Sequence, residues 1–532
     1  MSWRSTRAAA RAGPASREVA VIDLGSNSWR LVLFTFAGTG DKAWWKRTDE
    51  LYETVRIGAG MGTSGRLTDE AIDRGLDTLT VFERFCRSSG IGLDSIHTVA
   101  TSAIRDATNR EEFLRLAHEH TALRIEVLSA EDEARLGYVA AINTSTLSDG
   151  AVLELGGGSL QLIQVADRHL RQLVSLPLGA VRLTEEFLPG AGRARRKEVQ
   201  RLRDHLQNEL KALGWLRKSG SRLVGVGGAV RNLAATAQHV ASPELDIGVQ
   251  GFVLTQEALE DLVETLAGLP VAERGELPGI KPGRGDIILA AALTIEAVLE
   301  IGKFDGIEAT EAGLREGVFL DRELLRPGAR GESGEPLFKD VRQAAVRNLA
   351  IQYESDLVHV EHVASLSGQM FDSLVDGGLI EPAPDERELL WAAAMLHDVG
   401  MTISYDDHHK HSRYLIVSAE LPGFDPRERA LIAQISRYHR KGAPKLGELA
   451  PLAQPGDEEL VSRCAVILRL AEHLERGRDQ SVKRARLRAN GHGVDLHLDA
   501  EGRNLILPRW SVERYGDSEA FERVFGRRLL IG

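Results

Sequence analysis

Asp23 ends an apolar run and opens a short polar turn, Asp23-Leu24-Gly25-Ser26-Asn27-Ser28, within VAVIDLGSNSWRLVLF at residues 19–34. A carboxylate at a strand end can handle a metal or a water. Glycine and serine let the backbone approach a ligand, and successive N–H groups in such a turn can form an anion nest. One such turn is an ordinary hairpin. A second copy, GAVLELGGGSLQLIQV at residues 150–165, changes its meaning. Laid on the first, Glu154 falls on Asp23, Leu155 on Leu24, Gly156 on Gly25, Ser159 on Ser28 and Leu162 on Leu31. Strand, acid, glycine turn closed by serine, and return strand occur twice, and repetition of this kind fixes architecture. Two phosphate-holding turns, Ser26-Asn27-Ser28 and Gly157-Gly158-Ser159, facing one cleft would suit a phosphorylated substrate.

Three further stretches could contribute. Arg105 follows the apolar IHTVAT run closely enough to enter a cleft, or to lie on the surface. Gly227-Gly228 ends a third apolar run and opens a helix, where N–H groups can hold another phosphate. Glu131, Asp132 and Glu133 fall in the first turn of a helix that Ser129 would cap, with Asp132 at the N3 position. Acids there favour the helix dipole whether or not they do chemistry.

These side chains need elements to aim them. Val19–Ile22 and Leu31–Phe34 read as paired strands, and Ile96–Thr101, Leu123–Leu128, Arg222–Val226 and Gly306–Thr310 as further strands. Helical spacing marks Ile72, Leu76, Leu79, Phe82 and Phe85, then Val199, Leu202, Leu206, Leu210 and Leu213. The expected arrangement is two α/β lobes around a cleft, where open α/β folds bind ligands. The proline- and glycine-rich RPGARGESGEP at 326–336 reads as a linker. Beyond it strand signals vanish and histidines gather. His359 and His362 share a helix face at i, i+3; His397-Asp398 ends another helix; His408, His409, His411, His439 and His473 follow. From Lys483 the pattern turns to a small sheet with a terminal helix near Phe521. The divisions expected are a disordered tail at 1–17, lobe I at 18–138, lobe II at 139–325, the linker, a helical domain at 337–480 and a small α+β domain at 481–532.

Composition bounds the rest. At 532 residues the chain exceeds one core. A net charge of −11 excludes general nucleic-acid affinity, so a polyanionic ligand requires local positive charge. No apolar run approaches the roughly 18–20 residues of a membrane span. Two distant cysteines, Cys86 and Cys464, indicate no disulfide framework, and a cytoplasmic location is expected.

In combination, IDLGSNS at 22–28, ATSAIRDA at 100–107, EDEARLGY at 131–138, LGGGS at 155–159, LPLGAVRLTE at 176–185, GVGG at 225–228 and GLREG at 313–317 resemble the exopolyphosphatase / guanosine-pentaphosphate phosphatase family. The resemblance covers nearly the whole chain after the tail. It implies duplicated ribonuclease-H-like lobes of the actin and sugar-kinase type, followed by an all-α HD-like domain and a small α+β domain. It implies a magnesium-dependent phosphohydrolase acting on inorganic polyphosphate or guanosine pentaphosphate, often as a homodimer. Glu133 matches the family's catalytic glutamate, and Arg105 and the two turns match its phosphate-holding positions. Asp23, Glu154 and Gln161 fall at magnesium-linked positions, although the family has aspartate and glutamate at the last two. Ala229 replaces a threonine. In the helical domain His362, His397 and Asp398 match metal-binding positions, and Glu472 stands where an aspartate is expected. The competing expectations are a sugar- or acetate-type kinase on the same lobes, and a non-enzymatic polyphosphate- or alarmone-binding regulator.

Overall fold

The computed structural model describes residues 16–38, 43–61, 64–245, 247–325, 337–500, 505–515 and 518–531. The tail at 1–17 falls almost wholly, and the linker at 326–336 wholly, outside the described residues. The chain divides into two compact units, one of residues 1–243 and 249–341, the other of 244–248 and 342–532. Both expected lobes lie in the first unit. The small C-terminal sheet lies in the second, with the helices.

The first unit contains two sheets of matching design. β1 (Arg17–Leu24), β2 (Trp29–Ala37), β3 (Trp44–Glu53), β4 (Ile96–Ala100) and β5 (Ile125–Val127) run in the order β3-β2-β1-β4-β5. β6 (Gly150–Leu155), β7 (Leu160–Ala166), β8 (His169–Leu176), β9 (Leu223–Val226), β10 (Val253–Thr255) and β11 (Gly306–Ala309) run β10-β11-β9-β6-β7-β8. In each sheet an antiparallel three-strand meander passes into parallel neighbours: β1 pairs β4, as β6 pairs β9. The sequence repeat is therefore a topological repeat. The central strands read as continuous apolar runs because both faces are covered; Val19 to Ile22 and Ala151 to Leu153 are all buried.

Helix α1 (Asp69–Ser88) starts at Thr68, whose side chain accepts from the Ala71 N–H, and buries the face read from its spacing. Helix α2 (Ser102–Asp106) leaves β4, and α3 (Arg110–Thr121) follows. Helix α4 (Ala130–Ile142) packs into a core with residues from both sheets: Val19, Val21 and Val32 on one side, Val152, Ile163 and Val224 on the other. An element held by both sheets is a stiff mount for its first turn, where Glu133 sits.

The second unit is mainly helical. Helices at Leu357–Asp376, Glu386–Leu396, His408–Ser418, Pro426–Arg437 and Asp457–Leu474 share one apolar core with Val482, Ala485 and Leu487 of the C-terminal sheet and with Phe521. Among the described residues, no helix is long and apolar enough to cross a membrane.

Candidate active site

The two glycine turns and the third one open into a single cavity. It is lined by Asp23, Ser26, Asn27, Ser28, Glu133, Glu154, Gly157, Gly227 and Gly228, all singled out from the sequence. Trp29 Nε1 donates to the Gly25 carbonyl at 3.1 Å and closes the first turn; Gly156 N donates to Ser159 O at 2.9 Å and closes the second. The two turns press against each other. A Cβ at Gly158 would collide with Ser102 Oγ and stand 3.1 Å from Ser102 Cβ, so glycine permits this close approach. Ser26 Oγ and Ser102 Oγ lie 3.0 Å apart across the same contact. At the third turn Gly227 has φ +107, a conformation glycine alone adopts readily, and it swings the chain from β9 into the helix Gly228–Ala241.

The cavity departs from the expected phosphate cradle at several positions. Gly158 and Ser159 do not line it, and Ser159 instead accepts from Gln161 Nε2 at 2.8 Å. Gln161 is fully buried behind the lining, directly opposite Glu154 on the neighbouring strand. Arg105 also lies behind the lining. Its Nη1 donates to Glu133 Oε2 at 2.6 Å and to the Leu128 carbonyl at 3.2 Å.

Sequence reading missed most of the positive charge. Arg30, Arg231, Arg284 and Arg315 all line the cavity. None stands in the three glycine turns read from the sequence; the available signals were Arg315 inside GLREG and Arg284 between Gly283 and Gly285. They outnumber the lining carboxylates Asp23, Glu133 and Glu154, which supplies the local positive charge that an acidic chain needs to receive a polyanion. Arg315 lies 3.5 Å from Asp23, and Arg231 Nη1 donates to the carbonyls of Glu311 and Ala312 at 2.9 and 3.1 Å. Burial lowers Arg231 to about 10, which leaves it charged at neutral pH. Asn27 Nδ2, Arg284 Nε and Arg315 Nε are buried donors without a partner among the described residues, the state that a bound anion would relieve.

The carboxylates are the electrostatic opposite of relaxed. Burial raises Glu133 above the usual carboxylate range, against the pull of Arg105. Arg105 offsets part of that burial through its hydrogen bond and its charge, while Asp23 and Asp106 add to the rise. Ser129 caps the helix as expected, accepting from Asp132 N at 3.0 Å. Glu154 is pushed up to about 8 by burial, with Glu133 and Asp23 adding repulsion. Among the described residues its Oε2 has no hydrogen-bond partner, nor has Gln161 Oε1 across the strand pair. Orphaned buried oxygens on two paired residues fit the donor chemistry of a hard cation that takes oxygen ligands.

In the helical unit the structure sets one expected ligand, His362, apart from His397 and Asp398. His362 Nε2 lies 2.8 Å from the Val482 carbonyl and takes no part in the histidine cluster. His359, one turn earlier, stands beside His397, Asp398 and Glu472 instead.

Comparison with known proteins agrees with this geometry. A model of the Ppx/GppA phosphatase family matches residues 47–326, more than half of the chain, and a model of Ppx/GppA phosphatase domain III matches residues 341–506. The guanosine-5'-triphosphate,3'-diphosphate pyrophosphatase of Vibrio vulnificus (strain YJ016) is 28% identical over 490 residues, 91% of this chain and 92% of that one. The crystal structure of an exopolyphosphatase-like protein is 26% identical with a TM-score of 0.52, covering 57% of this chain and 97% of the other. An exopolyphosphatase from Cytophaga hutchinsonii ATCC 33406 shares the fold at 23% identity and a TM-score of 0.52, over 57% of this chain and 96% of its own. This protein, with its actin- and sugar-kinase-like fold, belongs to the Ppx/GppA phosphatase family and is a phosphoric anhydride hydrolase.

Proposed function

We propose that the cavity removes the terminal phosphate of inorganic polyphosphate, with Glu133 as the base that activates water. The observation that carries this reading is the meeting, in one cavity, of a buried carboxylate with unsatisfied arginine and asparagine donors. Phosphoryl transfer asks mainly for position and charge compensation. Arg284, Arg315 and Asn27 would hold the non-bridging oxygens, with backbone N–H groups of the Ser26–Ser28 and Gly227–Gly228 turns. Glu133 Oε2, tied to Arg105, would take the water's proton. A general base in this role contributes typically about 10²–10⁴-fold. Glu154 and Asp23, with Gln161 Oε1 behind, would hold magnesium, which when bound would neutralise charge on the phosphate chain.

A second reading, cleavage of guanosine pentaphosphate, is favoured by the Vibrio vulnificus relative, which matches across both units. The helical unit is read as an HD-like domain that guides a long polyanion. Phosphate release from polyphosphate and from guanosine pentaphosphate, each with magnesium, separates the two readings. Release from neither, by a folded chain, would sink both.

A further inference from the structure

Gln250 lies between the helix Gly228–Ala241 and β10 and is 1% exposed. A buried amide must satisfy both a donor and an acceptor end. Gln250 does so on two separate segments. Its Nε2 donates to the Thr144 carbonyl at 2.9 Å. Its Oε1 accepts from the Glu311 N–H at 3.0 Å and from Thr310 Oγ1 at 3.2 Å. A carbonyl only accepts and a backbone N–H only donates, so the amide has one orientation.

Both segments lead to the cavity. Thr144 stands just beyond the C-terminal end of α4, whose first turn carries Glu133. Thr310 and Glu311 follow β11 and run through Ala312 and Gly313 into the helix Leu314–Phe319, which carries Arg315. One side chain therefore ties the helix of Glu133 to the loop that starts the helix of Arg315.

That loop is fastened at every residue. Arg231 Nη1 lies 3.4, 2.9 and 3.1 Å from the carbonyls of Thr310, Glu311 and Ala312. Thr310 Oγ1 accepts from Ala312 N at 3.2 Å and is 2.9 Å from Thr144 Oγ1. Glu311 Oε1 accepts from Val249 N at 3.2 Å, and Gly313 N donates to Glu316 Oε2 at 2.8 Å as the helix begins. Farther along, the two helices meet directly: a Cβ at Gly317 would overlap the Leu136 carbonyl oxygen, and Arg135 Nη1 donates to Asp321 Oδ1 at 2.8 Å. The guanidinium of Arg315 is held more loosely. It lies 3.5 Å from Asp23, and its Nε has no partner among the described residues. The backbone from which it springs therefore sets where it points.

We propose that Gln250 is a positioning residue that fixes the spacing of Arg315 from Glu133. It does not line the cavity and acts through those two residues, so the proposal rests on the roles given to them above. Phosphoryl transfer needs the water and the charge-compensating group in register, and a misplacement of about 1 Å can cost about 10²-fold.

The test uses the full chain and Gln250→Met, which keeps the side-chain length and removes both polar ends. With magnesium, kcat for phosphate release should fall by roughly 10- to 100-fold while KM moves by less than about threefold, because Arg284, Asn27 and the glycine turns still hold the substrate. Gln250→Met/Arg315→Lys should be no slower than Arg315→Lys alone, since residues that act through one another are not additive. Leu206→Ala, in a core outside the cavity lining, should melt lower and keep kcat, which separates positioning from lost stability. Amide hydrogen exchange supplies a readout without turnover. Residues 310–312 should exchange as slowly as β9 in the parent and several-fold faster in Gln250→Met. Rapid exchange of 310–312 in the parent overturns the proposal whether or not the variant folds. So does a folded Gln250→Met with parental kcat or parental exchange, a multiplicative loss in the double variant, or an equal kcat loss in Leu206→Ala. A parent that releases phosphate from neither polyphosphate nor guanosine pentaphosphate would instead sink the reading of the reaction, and exchange would still decide the tie.

Discussion

Gly137 stands directly over Glu154: a Cβ at position 137 would overlap Glu154 Oε2 and lie 3.1 Å from its carboxyl carbon. Helix α4 therefore supplies Glu133 from its first turn and, one turn on, the space that the Glu154 carboxylate occupies. Gly137→Ala should displace that buried carboxylate. Overpacking of this kind costs roughly 1–3 kcal/mol. Shortening the acid in Gly137→Ala/Glu154→Asp should restore much of the loss. Thermal melts and turnover of both variants check this; no recovery in the double variant would show that the methyl clashes elsewhere.

Glu133→Gln keeps the shape and the contact with Arg105 but cannot take a proton. Turnover should fall by at least about 10²-fold, while polyphosphate binding persists on the untouched arginines. Glu131 lies in the same first turn but does not line the cavity, so Glu131→Gln should cost far less. Equal losses would return the acids to a helix-start role.

Arg284 and Arg315 offer unsatisfied buried Nε donors to the cavity. Hydrogen bonds to charged groups contribute about 1.5–3 kcal/mol each. Arg284→Lys should therefore lower kcat/KM by roughly 10- to 100-fold, mostly through KM, because lysine keeps the charge and loses the fork. A steady-state comparison at two ionic strengths distinguishes lost geometry from lost charge; an unchanged KM would remove Arg284 from substrate binding.

Glu154 makes stability fall with rising pH when divalent cations are chelated. Its carboxyl ordinarily titrates near 4.5 and in the folded chain at about 8. Between those values the folded state holds a proton that the unfolded state has released. The contribution is full below about 4.5 and is lost as pH rises to about 8, at about 1.4 kcal/mol for each pH unit crossed. Glu154→Gln should flatten that slope. Melting temperatures across the window, in chelator, check the sign.

Gln161→Glu would place a second carboxylate beside Glu154 in a buried strand pair. The variant should melt lower than the parent in chelator, since an unpaired buried charge is costly. Magnesium should then raise its melting temperature more than the parent's and be needed at lower concentration for half-maximal turnover. An equal magnesium response would show that position 161 does not sense the ion.

The repeat at residues 19–34 and 150–165 was enough to foresee two matching sheets, because a strand, a turn and a return strand are local and periodic. That Asp23, Glu133, Glu154 and the three turns meet in one cavity is decided by the packing of both sheets with the helix that carries Glu133. Local pattern left open what a glycine is for: Gly158 reads as a phosphate-holding residue, and its missing side chain also admits Ser102, a partner distant in sequence. The arginines were illegible for a related reason. Arg30 lies on a strand, Arg231 in a helix, and Arg284 and Arg315 near helix starts, so no spacing links them.

The histidines show the division most clearly. Sequence by itself determined that His359 and His362 share a helix face, that His397 precedes Asp398, and that the second half of the chain gathers imidazoles. It could not choose between two histidines at i, i+3, since both point to the same side of their helix. Packing decided. His359 is buried against Glu472, whose oxygen it meets at 3.1 Å, while His362 turns to the Val482 carbonyl of the C-terminal sheet. Local pattern sets which face a residue occupies; only the neighbouring elements set what that face meets.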